Sequence, residues 1–174
     1  MKQTIIRYGL ISGAIAATCE LGITLILKHY GFDKVGFDKS AYFGYSFIIL
    51  SMAVIFFGIK AYRDQENGGK VNFVKGLLIG LGIALISCVS YSLMWMVVYY
   101  NFMPNFMQDY ATFYMNKLKA GGASEAELVK AQGQITGMVE LYKSPIGVFG
   151  MTMMEPLPIG VLVSLVSALI LRRK

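Results

Sequence analysis

Charge, cysteine and histidine are all scarce in this chain. Charged residues make up 15% of it, with two cysteines and one histidine. Two cysteines, Cys19 and Cys88, both inside long apolar runs, do not make a disulfide framework. A single histidine, with no Cys, Asp or Glu at ligand spacing, gives no metal-site pattern. No nucleophile–base set and no cofactor motif is present, so the reading is of a protein that is not an enzyme and holds no cofactor. The Gly68-Gly69 pair lacks the strand and lysine context of a phosphate loop. Only four prolines punctuate the chain, and two of them, Pro156 and Pro158, stand together.

Apolar residues are abundant, at 56% of the chain, with a mean hydropathy of +0.57. They are gathered into runs long enough to cross a bilayer. The reading is one integral membrane domain over residues 1–174, with spans at about 5–27, 41–61, 73–100 and 146–171. The first run is too long for the core of a cleaved signal peptide, and Ala16, Ala17 and Thr18 before Cys19 make a poor lipoprotein site. The fold class is therefore all-α: a four-span transmembrane helical bundle, with the bilayer as its first partner.

Lys and Arg set the orientation. With four spans, both termini and the middle loop share a side. Lys2, Arg7, Lys60, Arg63, Lys70, Lys75, Arg172, Arg173 and Lys174 fall there, within few residues. That side is read as cytoplasmic. The net charge of +6 is then a topology signal, and no nucleic-acid partner is expected.

The first loop holds His29 and two Gly-Phe-Asp-Lys units, at 31–34 and 36–39, which read as turns. Residues 105–143 form the only sizeable non-membrane region and read as an extracytoplasmic helical hairpin. Phe106, Tyr110, Phe113 and Tyr114 suit a first amphipathic helix, ended by Gly121 and Gly122. Ser124 with Glu127 three residues on is a capping box. The second helix carries Leu128, Ala131, Ile135, Met138 and Tyr142 on one face. Two small-xxx-small pairs, Gly9 with Gly13 and Gly76 with Gly80, allow close helix approach.

Glu20 and Glu155 are the intramembrane charges. Counting from the apolar ends near Ile5 and Leu171, at roughly 1.5 Å per residue, places them at one depth. The same count reaches Tyr45 and Ser46 on the second span, and Cys88 and Tyr91 on the third. These six residues form the candidate polar site. No Lys or Arg lies within the spans beside them, so a shared proton, hydroxyl donors or a bound cation must accommodate the two carboxyls. Glu155 precedes Pro156, which biases it away from helical angles and makes it the expected cap of the last helix. Tyr91, Trp95 and Tyr99 recur every four residues, as an interfacial belt or a ligand-lining stripe.

Tyr62-Arg63-Asp64, the segment from Val71 to Lys75, residues 121–127, and Glu155-Pro-Leu-Pro-Ile-Gly leading to residues 164–174 resemble the domain-of-unknown-function 4199 family of small bacterial integral membrane proteins. The resemblance implies four spans in a bacterial inner membrane and brings no activity or site residue. Two functional classes stand: a structural or regulatory membrane component acting through an oligomer or a partner, and a small solute or proton/cation transporter using the carboxyls.

Overall fold

A computed structural model describes residues 1–30 and 37–173, with side chains from Lys39 onward in the second stretch. The described residues form helices and no strand. They run α1 (Lys2–Tyr30), α2 (Phe37–Met52), α3 (Val54–Ala61), a π-helical turn (Tyr62–Glu66), α4 (Phe73–Asn101), α5 (Phe106–Ala120), α6 (Glu125–Tyr142), α7 (Pro145–Met153) and α8 (Pro156–Leu171). Four stretches are long and apolar enough to cross a membrane: Lys2–Tyr30, Lys39–Glu66, Phe73–Asn101 and Pro145–Leu171. This is a multi-pass membrane protein. Of the two Gly-Phe-Asp-Lys units, the first lies outside the described residues. In the second, Phe37, Asp38 and Lys39 begin α2 instead of a turn, because the apolar residues after them propagate the helix back.

The central helix is α4, packed between α1 and α8. Association in lipid rests on close packing, because the solvent is as apolar as the side chains. Glycine supplies that closeness. A Cβ built on Gly9 or Gly13 of α1 would meet Ile86 or Ser90 of α4. A Cβ on Gly80 would stand 2.8 Å from both Cβ and Oγ of Ser164 on α8. The two small-residue pairs thus serve opposite sides of the bundle, one joining α1 to α4 and the other α4 to α8. The core runs through Ile48, Met52, Ile55, Ile59, Ile79, Ile83, Ala84 and Cys88. Leu10, Leu25, Leu50, Phe57, Leu78, Leu93 and Leu162 point outward, as a lipid-facing surface requires.

The second span is broken. At Ala53 the amide is shared between the Ile49 carbonyl at 3.1 Å and the Leu50 carbonyl at 3.3 Å. The Ser51 carbonyl accepts instead from Ser12 Oγ of α1 at 2.8 Å, and Ser12 Oγ also lies 2.9 Å from Ser87 Oγ of α4. A backbone irregularity at this depth persists only when its polar groups find partners inside the protein.

The end of the bundle that holds the termini is clipped together. Val71 and Arg173 exchange two backbone hydrogen bonds, of 3.1 and 2.8 Å. Asn72 caps α4 by accepting from the Lys75 amide at 2.8 Å. Thr4 and the Met1 ammonium both donate to Glu66.

At the opposite end α5 and α6 pack against each other across a turn in which Gly122 takes φ +76°, a conformation that favours glycine. The Ser124 Oγ accepts from the Glu127 amide, and the Glu127 carboxylate accepts from the Ser124 amide at 2.8 Å. The Ser124 amide and then the Ser124 hydroxyl, which also donates to that carboxylate at 2.8 Å, hold the Glu127 carboxyl below the usual carboxylate range.

Two tests follow from this packing. Gly80→Ala forces Ser164 to shift and is expected to cost about 1–3 kcal/mol in equilibrium unfolding from mixed micelles. Gly22→Ala, whose Cβ meets nothing within 4 Å, is expected to be neutral or slightly stabilising. Ser124→Ala is expected to loosen the start of α6 by about 1 kcal/mol, read as faster amide exchange over residues 125–130. A depressed folded-state pKa means the Glu127 contribution is present above the ordinary carboxylate range. It disappears as pH falls through the lowered value, so the exchange difference should shrink in acid to the part carried by the Glu127 amide bond to Ser124 Oγ.

Candidate functional site

The fourth span is two helices, α7 and α8, interrupted at Met154 and Glu155. Pro156 and Pro158 start α8 in the window where missing amide protons are tolerated. Glu155 just before them does not cap as its sequence predicts: its angles are helical, φ −74° and ψ −57°, and its side chain makes no capping bond. The residue-before-proline bias is overridden because α7 runs on through Met154, whose amide reaches the Gly150 and Met151 carbonyls. The carboxyl is thereby free to turn inward. Its oxygen accepts from the Tyr91 hydroxyl of α4 at 3.4 Å. That hydroxyl also interacts with Glu20 of α1, and the two carboxyls are close enough to feel each other's charge. Glu20 is 8% exposed.

Together these groups form the floor of a cavity of about 460 Å³ at the end of the bundle away from the termini. The walls come from almost every element: Thr24 and Leu27 of α1, Gly44 and Tyr45 of α2, Tyr91 and Trp95 of α4, and Met151 and Thr152 of α7. The roof is α5 and α6, through Phe106, Tyr110, Phe113, Tyr114, Met138 and Tyr142. Lys117 stands at the rim, exposed, with its ammonium 5.8 Å from the Phe113 ring. Trp95 and Phe106 meet edge to face at 4.8 Å, while Phe106, Tyr110 and Tyr114 form a stacked row along α5. Burial raises the pKa of the Tyr110 and Tyr142 phenols, so both are neutral donors at ordinary pH.

Of the six residues singled out from sequence, Glu20, Tyr45, Tyr91 and Glu155 line this cavity. Tyr45 sits at the rim, half exposed. Ser46 and Cys88 are elsewhere. Ser46 is exposed and bonds back to the Tyr42 carbonyl, and Cys88 is fully buried in the packed core. Counting by depth fixes height along a helix and leaves its rotation open, which is why these two share the level without sharing the site. The aromatic stripe divides likewise. Tyr91 and Trp95 line the cavity, whereas Tyr99 packs on Tyr100 and Tyr142. Depth counting missed the roof residues, although the aromatic periodicity of α5 was their signal. Among the described residues no group of His, Cys, Asp and Glu forms a metal-binding cluster.

The profile of a family described as "Protein of unknown function (DUF4199)" matches residues 7–173. No curated protein and no solved structure matches the chain.

The Tyr91 hydroxyl is the shared donor of the floor. Tyr91→Phe leaves a buried carboxyl short of a partner and should cost about 1–3 kcal/mol in unfolding. Tyr45→Phe, at the rim, should change stability by less than about 0.5 kcal/mol.

Proposed function

Since the chain belongs to the DUF4199 family, a family described only as of unknown function, its role has to be argued from its own residues. We propose that it is a solute-binding membrane protein of the transporter class, with the Glu20–Tyr91–Glu155 floor as its binding centre. The observation that carries this reading is the cavity itself. Two buried acids at the bottom of an aromatic-walled chamber are expensive to maintain in a membrane protein and serve best as a site for a proton or a cation. A bundle needing only cohesion could fill the same place with apolar side chains.

In this reading the chain lies in the bacterial inner membrane, with its termini in the cytoplasm and α5 and α6 outside. The cavity then faces the outer side. Below the floor Met52, Ile55, Ile83 and Ala84 are packed and almost wholly buried. Passage of a solute therefore requires rearrangement of the bundle or a second copy, as in small transporters built from repeated units. The same packed floor supports the alternative of a regulatory membrane component, in which ligand occupancy is signalled to a partner instead of moved across.

Glu20→Gln and Glu155→Gln keep shape and hydrogen bonding. Each is expected to insert and fold, while proteoliposomes lose proton- or cation-linked solute movement. Movement unchanged in both variants would remove the carboxyls from the function. Orientation is checked separately, with Cys19 and Cys88 replaced by alanine. An impermeant thiol reagent added to intact cells should label Ala126→Cys and leave Gln65→Cys untouched.

A further inference from the structure

The shape and chemistry of the cavity narrow what it holds. Its floor carries two carboxyls, and its walls carry aromatic faces from α2, α4, α5 and α6. Trp95 Nε1 is buried beside it without a completed hydrogen bond, the Tyr142 hydroxyl being close but short of one. An indole donor at the wall of a chamber of this size can serve an acceptor atom on an occupant, because buried donors are ordinarily paired. A bare metal ion fits less well: beside the two carboxyls the lining offers neutral hydroxyls, those of Thr24 and Thr152 already bonded to backbone carbonyls, and most of its surface is ring and thioether. A proton alone needs no chamber of about 460 Å³.

Resting on the reading that this cavity binds a solute, we infer that its ligand is an amphiphilic organic cation: an amine or quaternary ammonium on an apolar or aromatic body. The charged head descends to Glu20 and Glu155. Aromatic faces around it attract the cation through their ring quadrupoles and accept the apolar body by stacking. An acceptor atom on that body would complete the bond from Trp95. The mouth suits such a molecule. It is bordered by Ala41, Gly44 and Tyr45, on a helix in the second membrane-grade stretch, so part of the entrance opens toward lipid, where amphiphilic amines partition. Lys117, on the other side of the rim, lies over the Phe113 ring.

Trp95 is the only tryptophan in the chain, so its emission reports on the cavity alone. The purified protein in micelles is titrated with phenethylammonium, phenethyl alcohol, phenylacetate, sodium and potassium, following Trp95 fluorescence. Saturable change with phenethylammonium, at least about tenfold stronger than with the alcohol or the anion, is expected. Glu20→Gln and Glu155→Gln should abolish that selectivity, and Phe113→Ala should weaken phenethylammonium without removing the preference for charge. Equal response to the alcohol would overturn the inference. So would a response to sodium, potassium or pH alone, but if that response requires the glutamates the cavity keeps its role as a cation or proton site. Silence toward every probe would defeat both this inference and the proposed function. Should a glutamate variant misfold by circular dichroism, the charge selectivity of the unaltered protein and of Phe113→Ala decides.

Discussion

Ser12 holds the bundle together where it is weakest. The second span breaks at Ala53, and a broken helix in lipid leaves carbonyls with no water to turn to. The Ser12 hydroxyl answers the Ser51 carbonyl and meets Ser87, so one small side chain ties α1, the α2–α3 break and α4. Once that node is closed, the glycine contacts on either side of α4 can bring helices within backbone distance. On one side of the break α2 supplies a wall of the cavity, and on the other α3 packs against α4 and α8.

Cavity and core are therefore complementary products of one arrangement. At the end with the termini, small residues and β-branched side chains fill the space between four helices. At the other end large aromatics from α5 and α6 cover the cavity that the spans leave open. The bend in the fourth span belongs to the same pattern. Had Glu155 taken the extended angles that its following proline favours, α7 would have left the bundle and the carboxyl would have capped α8. Because α7 continues helically to the bend, the carboxyl is delivered to Tyr91.

Much of this was legible in the sequence because membranes impose simple rules. Span number follows from apolar run length, the Ser124–Glu127 cap from spacing, and helix contact from the paired glycines. Counting along two helices puts Glu20 and Glu155 at one depth and leaves open whether they face each other. What could not be read was rotation and local angle. Ser46 and Cys88 sit at the right height and face elsewhere, since about 100° per residue separates neighbours on a helix. The break at Ala53 carries no proline to announce it; only tertiary partners such as Ser12 make it tolerable. The roof residues are legible as the apolar faces of the outer hairpin, but amphipathy does not say that those faces cover a cavity.

The backbone clip between Val71 and Arg173 has a mechanical consequence. It joins the loop before α4 to the end of α8, beside the Asn72 cap and the Arg63 side chain. Hydrogen-bonded backbone of this kind is far stiffer than rows of side chains sliding on one another. A structure fastened at one end and hollow at the other would deform as tweezers do. The fastened end serves as fulcrum, and displacement grows with distance from it. Whatever enters between Glu20 and Glu155 would act near the tips, where a small force yields the largest excursion and where α5 and α6 are carried along.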